Sequence, residues 1–236
     1  MLELNRLYNM DCMEGMAHFP DKYFDLAIVD PPYGINATNM QMGSAPNRKE
    51  GGYPAVSTTQ KLKGRLNAGS GKLKNRLLNK SSFSWDNEIP PAEYFNELFR
   101  ISKNQIIWGG NYFPLPPTRC IVCWDKMQPW ENFSQWEMAW TSFDKPAAIY
   151  RLSNTGGRND EQKIHPTQKP KKLYSWLLSK FAEPGMKLID THTGSASSII
   201  AFEEFGLDYV AFEINESYIV AAENRIKQER SKLRLF

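Results

Sequence analysis

The sequence predicts an α/β fold, an open and mostly parallel sheet covered by helices, and three stretches carry that prediction. Phe24-Asp25-Leu26-Ala27-Ile28-Val29 is short, apolar and abruptly ended by two prolines, as expected of a buried parallel strand. The C-terminal quarter alternates strand-like runs (186–190 and 208–213) with helix-like runs (196–205 and 216–230), which makes a βαβα unit. Inside that unit a glycine-containing turn, Thr191-His192-Thr193-Gly194-Ser195, follows the first strand, and Glu213 closes the second.

Composition bounds the reading. The chain has 236 residues, 41% hydrophobic and 13% aromatic, enough for one domain with a real core and a large insertion. It contains no run of 18 apolar residues, and its start lacks a basic-then-apolar signal pattern, so a cytoplasmic protein without a membrane partner is expected. Cys120 and Cys123 have C-x-x-C spacing but sit in a strand-like run, where positions i and i+3 face opposite sides. Core packing is the better reading for them, and no metal is expected.

In chain order, Leu4 to Asn9 reads as a short strand and Cys12 to His18 as a helix that Asp11 is placed to cap. After the strand at 24–29 comes a stretch of different character, Asn36 to Ser84, rich in Gly, Ser, Asn, Lys and Thr without sustained period. Residues 38–80 hold Arg48, Lys49, Lys61, Lys63, Arg65, Lys72, Lys74, Arg76 and Lys80 against one acid, Glu50. That local charge of +8 leaves −5 for the rest of a chain whose net charge is +3. An acidic body with one basic, mobile insertion points to a polyanion gripped at one place through its phosphates.

Pro90-Pro91 opens a helix through Ile101, with Tyr94, Phe95, Leu98, Phe99 and Ile101 on its buried side. Strands are expected at 105–108, ended by Gly109-Gly110, at 119–124 and at 136–140. The loop between the last two carries Trp130 and Phe133, candidates for the wall of a pocket as well as for core. A polar segment from Ser153 leads into His165-Pro166-Thr167-Gln168-Lys169-Pro170, an unusual string for a helix entry, and an amphipathic helix follows over 173–181.

Two places carry chemistry. Asp30-Pro31-Pro32-Tyr33 stands beyond the carboxyl end of a strand, where open α/β sheets bind ligands. The prolines fix φ and consume no N–H, so nearby carbonyls stay free as acceptors beside the Asp30 carboxylate. Tyr33 adds a flat ring with a polar tip. Two rigid acceptors and a stacking ring suit a planar base bearing an exocyclic amine. The second place is the turn at Gly194. Glu213 comes 19 residues after it, the spacing that puts a carboxylate on a ribose diol. With Ser195 and Ala196 in place of further glycines, a pyrophosphate fits poorly, and a smaller adenosyl ligand ending in an amino acid fits better.

The tetrapeptide at 30–33, the string at 165–170, the turn at 190–198 and the run Phe212-Glu213-Ile214-Asn215-Glu216-Ser217-Tyr218 together resemble the amino-group DNA methyltransferases of the permuted β type. The likeness spans nearly the whole chain. It implies a Rossmann-like S-adenosylmethionine-dependent methyltransferase sheet in circularly permuted order, the catalytic half before the cofactor half, mostly parallel with one antiparallel strand. It implies transfer of a methyl group to N6 of an adenine flipped out of double-stranded DNA; the alternatives are cytosine N4 and a catalytically weak DNA-binding module. Asp30 at the head of the tetrapeptide favours adenine.

By the same resemblance Asp30, Pro31, Pro32 and Tyr33 are catalytic. Asp11, Asp30, His165, Thr167, Lys169, Asp190, Thr191, His192, Thr193, Gly194, Ser195 and Glu213 surround S-adenosylmethionine, with Thr167 and Lys169 near its methionine end. The family allows a homodimer, a cognate restriction endonuclease, and a bacterial or phage source. This chain departs from it at Thr191 and His192, where Pro and Phe are usual, and at Ala196, where a second glycine is usual. Ala196 is expected on helical backbone, which alanine tolerates.

Overall fold

The computed structural model describes residues 1–35, 86–127, 134–153, 164–165 and 167–233. Among these residues eight strands form one sheet: β1 (Arg6–Tyr8), β2 (Phe24–Val29), β3 (Ser102–Trp108), β4 (Ile121–Asp125), β5 (Trp136–Thr141), β6 (Ala148–Arg151), β7 (Lys187–Asp190) and β8 (Asp208–Phe212). Their spatial order is β1-β8-β7-β2-β3-β5-β4-β6. Every pairing is parallel except those of β5, which runs against both β3 and β4. The order is permuted as expected: β2, early in the chain, lies beside β7, with Leu26 opposite Leu188 and Ala27 opposite Ile189.

Among the described residues, five α-helices cover the sheet: α1 (Cys12–Ala17), α2 (Ala92–Ile101), α3 (Lys171–Phe181), α4 (Ser197–Glu204) and α5 (Glu216–Leu233). The alternation of each strand divides the core in two. Leu26, Ile28, Ile106, Leu188, Tyr209 and Ala211 meet α3, α4 and α5 on one face. Ala27, Val29, Ile107, Ile189, Val210 and Phe212 meet α1 and α2 on the other. Strands buried on both faces explain the near-continuous apolar runs that the sequence shows at β2 and β8.

Local chemistry sets the ends of these elements. Asp11 accepts a hydrogen bond from the Met13 N–H at 2.7 Å and caps α1. Pro91, at φ −66°, precedes the first turn of α2, with Glu93 in that turn and Arg100 in the last, both suited to the helix dipole. Tyr94, Phe95, Leu98 and Ile101 are buried as expected, while Phe99 is half-buried against Trp140. Edge strand β6 went unanticipated because Ala148–Arg151 alternates weakly and carries an exposed Ile149. Cys120 is buried, Cys123 half-buried, and both are free thiols.

Ala196 overturns one expectation. It does not sit on helical backbone: its φ of +61° and ψ of 24° put it in the left-handed region just before α4. That is where a glycine is cheap and an alanine is strained by about 1–2 kcal/mol.

Candidate active site

The carboxyl ends of β1, β2, β3, β7 and β8 point the same way, and the reversed β5 brings its amino end to that side. A cavity of about 980 Å³ opens there. Every described residue that the sequence offered for catalysis or cofactor lines it, except Asp190. Tyr33 and the Gly194 turn therefore share one space, although 161 positions separate them. Arg48, Lys49, Lys61, Lys63, Arg65, Lys72, Lys74, Arg76 and Lys80 lie outside the described residues, as do Trp130, Phe133 and Pro166.

The β2 end is built as a clamp. The buried Asp86 takes the Tyr33 and Gly34 N–H groups on one oxygen, at 2.6 and 3.1 Å, and so fixes the turn after the two prolines. The Tyr33 hydroxyl donates to Asp30 Oδ1 at 2.5 Å. Its ring stacks on Tyr112, centroids 5.1 Å apart and planes 16° apart. Gly109, at φ +71°, passes so close that an added Cβ would stand 2.3 Å from the Tyr33 ring. Here glycine is required twice, by backbone sign and by space. Burial and the neighbouring Asp30 push the Tyr33 hydroxyl well above its ordinary pKa, so it stays protonated as a donor.

Lys169 is almost wholly buried, with Nζ 2.5 Å from Asp30 Oδ2, 3.2 Å from Glu137 Oε2 and 3.0 Å from the Tyr33 hydroxyl. It sits over the rings of Trp108 and Tyr33. The resemblance put Lys169 near the cofactor's methionine end; the structure sets its ammonium against the tetrapeptide. Glu137, Lys126, Asp86 and Tyr112, which also line the cavity, were not among the candidate residues of the sequence. The signal available for Glu137 was an acid between Trp136 and Met138 in a strand otherwise apolar.

The β7–β8 end makes the second half. Asp190 lies beneath the turn and spends its carboxylate there, Oδ1 accepting the His192 N–H at 3.0 Å and Oδ2 the Ser198 hydroxyl at 2.5 Å. Burial pushes it up to about 7 against those two hydrogen bonds. Glu213 takes the Gly194 N–H on Oε2 at 2.9 Å and the Asn215 N–H on Oε1 at 2.8 Å, tying the turn to the end of β8. Arg225 of α5, another residue the sequence did not flag, donates to the Ser195 carbonyl at 2.7 Å and the Ser197 hydroxyl at 2.8 Å from behind. His192 Nδ1 meets the Thr191 hydroxyl at 2.9 Å, which also pairs with Tyr94 at 2.6 Å. The segment from His165 to Lys169 bridges the two halves. His165 packs on Tyr218 and Lys169 reaches Asp30, while the Thr167 hydroxyl pairs with His165 Nδ1 at 3.2 Å.

The residues present fit an adenosyl amino acid. Thr193 is buried on the cavity wall, and its hydroxyl has no hydrogen-bond partner among the described residues. A buried hydroxyl without a partner costs about 1–3 kcal/mol, so a polar ligand group is the natural complement. At Gly194 an added Cβ would enter the gap toward the His165 ring, 3.7 Å away.

An open α/β sheet with a nucleoside-type turn beside an Asp-Pro-Pro-Tyr clamp is the arrangement that the resemblance to amino-group methyltransferases implies. The comparisons agree: a family model described as DNA methylase, N6/N4 type, matches residues 129–224. Type II methyltransferase M2.MboI of Moraxella bovis is 21% identical over 93% of this chain and 86% of its own length. Type II methyltransferase M.BglII of Bacillus subtilis is 20% identical over 92% and 67% respectively. Among solved structures, the complex of M1.HpyAVI with SAM superposes with TM-score 0.53 at 15% identity, covering 93% of this chain and 98% of that one. The cytosine-N4-specific PvuII DNA methyltransferase superposes with TM-score 0.52 at 14% identity, covering 96% and 91%. Over its C-terminal half by the family model, and over nearly its whole length by these relatives, the chain is similar to the N4/N6 DNA methylases.

Proposed function

We propose that the protein uses S-adenosylmethionine to methylate N6 of adenine in double-stranded DNA. The observation that carries this reading is one cavity shared by an aromatic clamp with its carboxylate and a nucleoside-type turn. Held by Glu213, Thr193, the Gly194 turn and Asp11, S-adenosylmethionine would supply an electrophilic methyl group on its sulfonium.

The chain's own residues do the rest. Adenine N6 is a weak nucleophile because its lone pair is delocalised into the ring. Asp30 and the Pro31 carbonyl accept its two hydrogens, and Tyr33 stacks on the base. The accepted hydrogen bonds draw nitrogen toward a tetrahedral shape and stabilise the positive charge that develops as the N–C bond forms and the C–S bond breaks. One N–H proton then leaves for solvent. This is positioning with electrostatic preorganisation. The base cannot reach the clamp inside a duplex, so it must be flipped out. By the sequence resemblance, Asp rather than Ser at position 30 supports adenine over cytosine.

The basic insertion is the proposed phosphate grip. The test is incubation of the purified chain with methyl-labelled S-adenosylmethionine and duplex DNA, followed by nucleoside mass spectrometry. N6-methyladenine supports the proposal. N4-methylcytosine overturns the choice of base, and label found in no nucleoside overturns the activity.

A further inference from the structure

Four charges stand in a row on the cavity wall: Lys126, Glu137, Lys169 and Asp30. Glu137 reaches there because β5 runs backwards and delivers its amino end to the mouth. Its Oε1 is 2.5 Å from Lys126 Nζ, and its Oε2 is 3.2 Å from Lys169 Nζ. Lys169 Nζ continues the row to Asp30 Oδ2 at 2.5 Å. Both lysine side chains are nearly inaccessible, 3% and 4% exposed. Around them are the faces of Trp124, Trp108 and Tyr33.

Stability alone does not account for such a row. Buried ion pairs commonly give way to apolar side chains without loss, and these aromatic surroundings would accept them. What the row does possess is direction: it ends on the carboxylate that the proposed reaction needs. We propose that Glu137 is a positioning residue for methyl transfer, fixing the Lys169 ammonium against Asp30 so that the carboxylate stays aimed at the target amine. The proposal rests on the methyltransferase reading above and deepens it.

The electrostatics are consistent with that role. Burial pushes Glu137 up, but Lys169 and Lys126 outweigh it and hold the carboxyl at about 2. Burial pushes Lys169 down, but Asp30 and Glu137 outweigh it and leave the ammonium above its ordinary value. The groups facing Lys169 are Asp30 and Tyr33 from the β2 end, Glu137 from β5, Lys126 from beyond β4 and Trp108 from β3. His165, from its own segment, is held neutral by its burial first and by the Lys169 charge second. Remove the Glu137 charge, and burial has one fewer opponent.

The test follows the lysine Nζ resonance by NMR in the full chain labelled with 15N-lysine, alongside the pH profile of turnover. In Glu137→Gln, Lys169 loses its proton at least one pH unit earlier, the alkaline limb of kcat moves with it, and kcat falls roughly tenfold while KM for S-adenosylmethionine holds. Lys126→Met removes a like charge instead, so Lys169 keeps its proton to at least the wild-type pH. That second variant decides the matter even if the first fails to fold. An unmoved Lys169 titration in Glu137→Gln, an unchanged kcat, or a downward shift in Lys126→Met overturns the proposal. A wild-type chain that methylates no DNA overturns the methyltransferase reading and this role with it. That outcome is told apart because it precedes any variant.

Discussion

Gly109→Ala separates the site from the scaffold, because two penalties meet at that position and a second glycine carries only one of them. Gly109 has φ +71°, and an alanine there bears about 1–2 kcal/mol of left-handed strain. Its new Cβ would also stand 2.3 Å from Tyr33 Cε1, whereas carbons rest at about 3.5 Å or more, so something must yield by about 1 Å. Tyr33 resists, being tied to Asp86 through its N–H and to Asp30 and Lys169 through its hydroxyl. Overpacking of that kind adds about 1–3 kcal/mol. Gly206, at φ +65°, has nothing within 4 Å of its added Cβ and supplies the strain alone. Urea unfolding should therefore find Gly109→Ala less stable than Gly206→Ala by about 1–3 kcal/mol. Methyl-transfer assays should find Gly206→Ala at wild-type turnover and Gly109→Ala lower by up to about 10²-fold, the cost of a 1 Å misplacement. Equal losses of stability together with unchanged turnover in both variants would refute the clamp.

Four further outcomes are expected. Asp30→Ala lowers turnover by roughly 10²-fold or more while calorimetry still finds S-adenosylmethionine bound, since the Gly194 turn is built without it; unchanged turnover contradicts the mechanism. Ala196→Gly changes stability by less than about 0.5 kcal/mol, because relief of left-handed strain is offset by a lost buried methyl and a freer unfolded chain; a loss above about 2 kcal/mol, as at a helical alanine in the core, contradicts the left-handed backbone. Neutralising Lys72, Lys74 and Arg76 together weakens DNA binding and flattens its salt dependence; an unaltered salt slope removes the insertion from the interface. Acid should destabilise the fold: burial holds His165 neutral to about 3 and His192 to about 4, so their contribution is complete above about pH 6.5 and is lost as pH falls below it. Asp190, raised to about 7, gains a proton on folding and opposes them, leaving a net loss on the order of 2 kcal/mol between pH 7 and 4.5. Asp190→Asn should steepen that loss in urea titrations at the two pH values.

The fold was legible where burial imposes a period. β2 and β8, covered on both faces, announce themselves as apolar runs, and the turn after β7 shows its glycine. β6 was not legible, because an edge strand buries too little to leave a pattern. The two ends of the site were legible because proline, glycine and acid at strand ends each have a local reason to be there. What joins them was not. Lys169 and Glu137 lie 32 positions apart, and only the reversal of β5 brings them together. Asp86 stands among no other signals in the sequence, and proved to hold the Tyr33 turn. Ala196 misled for a physical reason: composition shows that a glycine is missing, but not the sign of the φ angle that remains.

The central claim is that an amine held at Asp30 and a methyl donor held at Gly194 meet in one chamber. A bisubstrate compound, with adenine N6 tethered to the sulfur position of the S-adenosylmethionine scaffold, tests it in one calorimetric measurement. The account predicts binding at least about 10²-fold tighter than S-adenosylhomocysteine, with the gain abolished by Asp30→Ala. Affinity no better than that of the untethered nucleoside, unaffected by Asp30→Ala, would show that the two ends do not serve one reaction.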